Sequence, residues 1–263
     1  MSKARISIPD DIAKFVEVEY CDDFDTDRYF VTQTQIDIIN DIIKNGELSQ
    51  KLAKYEVKYV NTTLLYGPTG TGKTTFARYA SHMLDKDFAY VNFASLMDGG
   101  FGNTERNLSK VFRYMTALDC VFMIDEIDCI AVSRTASTND TLKSITIALM
   151  QELDYCKSHN PKAIILAATN VYQNLDPALL SRFSIKKEIP LLMNEEKLGF
   201  VCKYINSLGV PYDPDQVREY IARNSRVTQR VMEQDILRAL IHWIDNGENY
   251  DEQLVLQSYH NYD

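Results

Sequence analysis

Eight consecutive residues, Gly67-Pro68-Thr69-Gly70-Thr71-Gly72-Lys73-Thr74, carry the spacing G-x-x-x-x-G-K-[ST]. Each residue type has a task in holding a phosphate chain. The glycines let backbone N–H groups turn inward around phosphate oxygens. A helix that opens at the end of the loop aims the positive end of its dipole at the same anion. Lys73 supplies a point charge for the β- and γ-phosphates, and the Thr74 hydroxyl is a Mg²⁺ ligand. Thr75 follows directly and completes the candidate nucleotide-contacting run.

Further along, Val121-Phe122-Met123-Ile124-Asp125-Glu126 is four apolar residues followed by two acids. A buried strand of this kind delivers its carboxylates to the C-terminal edge of a sheet, where open α/β sheets bind ligands. There Asp125 would hold Mg²⁺, through water, and Glu126 would accept a proton from an attacking water. Asp128 reads as a solvated or structural acid. Asn170 caps a second apolar run, Ile164-Ile165-Leu166-Ala167-Ala168-Thr169. Its amide either hydrogen-bonds the lytic water or γ-phosphate, or merely starts a turn. Arg182 ends a short helix that Asp176 caps and Pro177 opens. It is either an arginine reaching a neighbouring subunit's phosphate or a cation that complements its own helix dipole.

The elements that must position these groups follow from hydrophobic spacing. Ile36, Ile39, Ile42 and Ile43 mark a helix over 34–45, with Asn45-Gly46 as its stop. Strands are expected at 59–66, 88–93, 120–124 and 163–168, and a helix at 73–83. Short apolar strands alternating with helices indicate a parallel sheet covered on both faces, an α/β fold of the doubly wound kind. After Pro190 the chain reads as helices at 194–208, 214–224 and 228–246. Asp213 and Pro214 start the second of these, with Gln216 in the place of a capping-box partner. The expected organisation is a short acidic segment and leading helix over 1–58, an α/β core over 59–190 and a helical domain over 191–263.

The 263 residues carry a net charge of −9, unevenly spread. Residues 10–27 hold eight acids and only Lys14, and five acids but no Lys or Arg follow Arg238. Those segments carry −7 and −5, and without them the remainder stands at +3. The acidic ends serve solubility or face a partner. The five cysteines, Cys21, Cys120, Cys129, Cys156 and Cys202, show no CxxC pair, which favours reduced thiols in a cytoplasmic protein over a disulfide framework or zinc site. The stretch from Met1 to Asp11 lacks the apolar run of a signal peptide, and no apolar stretch is long enough for a membrane span.

Taken together, Gly67 to Thr74, Val121 to Glu126, Ala167 to Asn170 and Leu175 to Phe183 resemble an ATPase of the AAA+ superfamily. Gly102-Asn103-Thr104-Glu105-Arg106-Asn107-Leu108 is similar to the "GESERN" segment of AAA proteins in the narrow sense. Leu149-Met150-Gln151-Glu152-Leu153-Asp154 is similar to their "LLxELD" helix. The resemblance covers residues 60–190 well and the helical part in outline. It implies a three-layer P-loop NTPase domain with a parallel sheet, followed by a small all-helical lid. It also implies ATP and Mg²⁺ bound between subunits of a homo-oligomeric ring, commonly a hexamer. Lys73, Thr74, Asp125 and Glu126 would serve one protomer's nucleotide, with Asn170 as first sensor. Arg182 would be the arginine finger for the neighbour, and Arg226 or Arg230 a second sensor on the lid. Two departures stand out. The family's "RPGRF" is here Leu179-Leu180-Ser181-Arg182-Phe183, with one arginine. The pore-loop aromatic position holds Gly100, with Phe101 one place later. Phe101 either grips a threaded chain or packs locally. Residues 1–58 are shorter and more acidic than the usual substrate-recruiting N-domains.

Three functions fit this resemblance. One is ATP-driven remodelling or unfolding of a protein substrate. A second is a nucleic-acid-associated role such as helicase loading, transposition control or replication, although no dense Lys/Arg cluster is present. The third is a slow ATP-controlled assembly switch.

Overall fold

The computed structural model describes residues 6–91, 96, 103–129, 140–247 and 253–257. Among them the chain forms two compact units. One contains the segment up to Phe24, Thr34–Gly67 and Lys73–Glu188. The other contains Asp25–Gln33, Pro68–Gly72 and the chain from Ile189 on.

In the first unit, six strands form one sheet: β1 (Val16–Glu19), β2 (Asn61–Tyr66), β3 (Asp87–Val91), β4 (Cys120–Ile124), β5 (Ile164–Thr169) and β6 (Ile185–Glu188). Their spatial order is β1-β3-β4-β5-β2-β6. All neighbours run parallel except β1, which pairs antiparallel with β3. The helices here are α1 (Asp10–Ala13), α2 (Gln33–Ala53, from Thr34), α3 (Lys73–Met83), α4 (Asn103–Met115), α5 (Asp140–His159) and α6 (Pro177–Leu180).

Every residue of β4 and β5 is buried, which requires cover on both faces of the sheet. Phe122 and Ile124 of β4 and Ile165 and Ala167 of β5 share one cluster with Leu108, Val111 and Phe112 of α4 and Leu149 and Leu153 of α5. Phe112 meets Phe122 edge-on at 5.0 Å. The alternate residues Val121, Met123 and Leu166 are equally buried and must point the other way. Helix α3, with Phe76, Ala77 and Ala80 fully buried, packs against β3, β4 and β5.

Helix α2 does not stop at Asn45-Gly46 but continues to Ala53. Tertiary contacts override the local stop signal. Asn61 donates to the Ile42 carbonyl at 2.7 Å, and buried Ser49 donates to the carbonyls of Tyr59 and Pro161. Part of the acidic leading segment is also used internally. Glu19 pairs with Arg78 at 2.8 Å, and Asp11 pairs with Lys110.

The second unit is helical: α7 (Asn194–Leu208), α8 (Pro214–Arg223) and α9 (Gln229–Asp245). Phe200, Val201 and Ile205 of α7, Val217 and Ile221 of α8, and Met232, Ile236 and Trp243 of α9 form its core. Asp213 caps α8 through the Asp215 amide at 2.9 Å. Gln216 does not complete a capping box. Its side chain donates to the Leu256 carbonyl and accepts from the Leu256 amide, so it binds the returning chain whose Leu254 and Leu256 enter the core. Among the described residues, no helix is long and apolar enough to cross a membrane.

Candidate functional site

The Gly-rich loop runs from the end of β2 into α3, as the alternation of elements predicts. Gly70 and Gly72 have φ of +81° and +78°, a backbone region that side chains with a Cβ rarely adopt. At the first turn of α3, Lys73 is 7% exposed, and its Nζ donates to the Gly67 carbonyl at 2.8 Å. Thr74, half-buried beside it, donates through its hydroxyl to Asp125 Oδ2. Thr75 is exposed. The sheet topology explains this meeting. β4 ends at Ile124, so Asp125 emerges at the same C-terminal edge from which β2 feeds the loop.

Asp125 Oδ1 in turn accepts the Glu126 amide at 2.8 Å. Glu126 is exposed and has φ of +50°. The Tyr90 hydroxyl is held above its usual range by burial and then by the charges of Asp125 and Glu126. Nothing in the sequence marked Tyr90 for that position. Burial, Asp128 and Glu126 push the thiol of Cys129 up to about 11, so it remains protonated at neutral pH.

Asn170 follows the last residue of β5, and its amide donates to Asp128 Oδ1 at 3.3 Å. Asp128 is therefore a structural acid that ties the two strand tips together. Arg182 does not join this group. Its Nη1 donates to the Ala178 carbonyl at 2.6 Å and its Nη2 to Asp154 Oδ2 at 3.2 Å, while its Nε is buried with no hydrogen-bond partner among the described residues. The Arg182 backbone is pinned as well, since the Thr62 hydroxyl donates to its carbonyl at 2.8 Å. Asp154 stood out in the sequence only as part of a helical motif; its pairing with an arginine 28 residues later leaves no local signal.

In the second unit, Gly70 and Thr71 contact the start of α9. The Arg230 amide donates to the Gly70 carbonyl at 3.2 Å, and Gln229 Nε2 donates to the Thr71 carbonyl at 3.1 Å. The Thr71 hydroxyl donates to the Pro68 carbonyl at 3.0 Å, which closes the loop on itself; Thr69 is exposed. Arg230 is thus attached to the loop through its backbone. Arg226 is exposed before the N-cap Thr228. Phe101 and its flanking glycines lie outside the described residues.

A threonine hydroxyl and a carboxylate in contact form an all-oxygen donor set, which suits a hard cation such as Mg²⁺. A buried lysine at a helix N-terminus, preceded in the chain by left-handed glycines, suits a polyphosphate.

Residues 63–191 match the AAA family, described as the ATPase family associated with various cellular activities. A Methanocaldococcus jannaschii protein named as a 26S proteasome regulatory subunit homolog is 30% identical over 68% of this chain and 48% of its own length. The ribosome biogenesis ATPase RIX7 of Saccharomyces cerevisiae is 29% identical over 70% of this chain and 22% of its own. The 26S proteasome regulatory subunit S10B homolog B of Arabidopsis thaliana is 33% identical over 59% of this chain and 39% of its own. The chain spans about half or less of the length of these relatives.

Proposed function

The chain belongs to the AAA+ ATPases, and on that premise we propose that it binds ATP with Mg²⁺ and hydrolyses it within a homo-oligomeric ring, a hexamer, to remodel or unfold a protein substrate. The observation that carries the hydrolytic part is the convergence of Lys73, Thr74 and Asp125 at one sheet edge. Lys73 would exchange the Gly67 carbonyl for β- and γ-phosphate oxygens, while the loop amides hold the remaining phosphate oxygens. Thr74 and Asp125 would hold Mg²⁺, which when bound neutralises charge on the phosphates. Glu126, exposed next to Asp125, would take the proton of the attacking water, and Asn170 would orient that water. Arg230 is favoured over Arg226 as second sensor, because its backbone is bonded to Gly70.

Two relatives are named for 26S proteasome regulatory subunits, which supports an assembled, protein-directed role. In a ring, Arg182 would leave Asp154 for the neighbour's γ-phosphate. The proposed residue roles are tested together. Lys73→Ala is expected to lose ATP binding. Glu126→Gln is expected to bind ATP, release little phosphate and trap the oligomer. An Arg182→Ala protein is expected to regain turnover when mixed with Lys73→Ala subunits. Micromolar ATP affinity in Lys73→Ala, or wild-type turnover in Glu126→Gln, would sink the assignment. Stimulation of turnover by unfolded protein supports the substrate class. Stimulation by DNA that collapses with added salt would replace it with a nucleic-acid role.

A further inference from the structure

Asn170 sits on a turn that is fixed from three directions. Its own amide is held by Asp128, as described. The next amide, that of Val171, donates to the Thr169 hydroxyl at 3.1 Å, and the Asn174 amide closes the turn on the Val171 carbonyl at 2.9 Å. The third direction is aromatic. Tyr172 stacks on Tyr66, with ring centroids 4.3 Å apart and planes inclined by 31°. Tyr66 is the last residue of β2, in register with Thr169 at the end of β5. It is bonded directly to Gly67, whose carbonyl holds Lys73. The ring pair therefore joins the first residue of the phosphate loop to the turn that carries Asn170.

We propose that Tyr172 is a positioning residue: stacked on Tyr66, it sets Asn170 relative to the phosphate loop, so that the Asn170 side-chain amide, and not the backbone N–H held by Asp128, meets the γ-phosphate or its water in a productive geometry. This rests on the reading of Asn170 as first sensor. The contact is made by ring faces, so the Tyr172 hydroxyl is dispensable. Aromatic pairs prefer offset-stacked or edge-to-face arrangements over others, which restricts how Tyr172 can shift against Tyr66. Displacing a reacting partner by about 1 Å costs up to ~100-fold in rate. Binding of the phosphates, which uses the loop amides and Lys73, is left intact.

The test measures kcat and ATP affinity for Tyr172→Phe, Tyr172→Ala, Tyr172→Leu, Asn170→Ala and the double variant Asn170→Ala/Tyr172→Ala. Tyr172→Phe is expected within about twofold of wild type. Tyr172→Ala is expected to lose about tenfold in kcat with ATP affinity within about threefold, and the double variant to be no slower than Asn170→Ala alone. Tyr172→Leu keeps apolar volume without a ring face and is expected to behave as Tyr172→Ala; it carries the test if the alanine variant does not fold. Full kcat in both non-aromatic variants, alongside a slow Asn170→Ala, would overturn the proposal and leave the sensor reading standing. Multiplying losses in the double variant, or a Phe variant as slow as Ala, would also overturn it. A fully active Asn170→Ala would overturn the sensor reading itself.

Discussion

Gly70 is the residue at which backbone geometry and packing can be separated by experiment. Its φ is +81°, and a Cβ built there would lie 2.7 Å from Thr228 Oγ1, 3.2 Å from Thr228 Cβ and 3.3 Å from Arg230 Cβ. In Gly70→Ala, the left-handed conformation costs about 1–2 kcal/mol. The contact at 2.7 Å is with the end of a short side chain, which can turn away. Thr228 is the N-cap of α9, however, and its hydroxyl accepts the Val231 amide at 3.4 Å. Turning it away loses a cap of about 1 kcal/mol. The single variant should therefore lose about 2–3 kcal/mol. Thr228→Ala alone loses the cap, about 1 kcal/mol. In the double variant the cap is already gone, so the total stays at about 2–3 kcal/mol and the two losses fall short of additivity by about 1 kcal/mol. Trp243 is the sole tryptophan and lies in the core of the helical unit, so its fluorescence in a urea titration reports this unit. With a slope of about 1 kcal/mol per molar, Gly70→Ala should move the midpoint down by about 2–3 M. Additive losses to within about 0.3 kcal/mol would refute the argument, because they would mean that the loop does not press on the cap of α9.

Two further perturbations address the helical unit. Lys197 is 1% exposed, donates to the Ser225 carbonyl, and burial lowers its amine below the usual 10.5. Below that value the unfolded chain binds more protons than the folded one, so this group makes stability rise with pH until both forms are neutral. The stability of Lys197→Met relative to wild type should therefore decline from neutral pH towards pH 10.5, as followed by Trp243 fluorescence; parallel pH profiles would contradict this. The Tyr220 hydroxyl donates at 2.7 Å to Asp235, whose side chain is wholly buried. Tyr220→Phe should cost about 1–3 kcal/mol in the same titration, and an unchanged midpoint would count against that bond.

Several strands and helices were legible because their apolar runs are short and end at distinctive residues. The run from Cys120 to Ile124 is bounded by Asp119 and Asp125, and the expected helix over 194–208 ends at Gly209, which has φ of +68°. The peripheral strands were not legible. β1 reads Val-Glu-Val-Glu, an alternation only four residues long within an acidic stretch, and β6 reads Ile-Lys-Lys-Glu, with a single apolar position. They are strands because β3 and β2 offer them free edges. Within the candidate site, the residue types at each sheet tip could be read from spacing. Their partners could not, because Asp128 with Asn170 and Asp154 with Arg182 are pairings between separate elements. Gln216 shows the same limit: a position that suits a local cap is taken by a chain 40 residues away.

Glu126 carries a cost that the fold could easily avoid. At φ of +50° it occupies a region that disfavours a long side chain and that asparagine enters with less penalty. With Glu126 as the base proposed above, folding and chemistry pull this position in opposite directions. Glu126→Asn should raise the unfolding free energy by a few tenths to about 1 kcal/mol while ending turnover, and a lowered melting temperature would refute that. The consequence concerns how such a chain changes over time. A selection for heat resistance alone, with no demand for activity, would reward loss of the acid and would begin dismantling the proposed site at this residue.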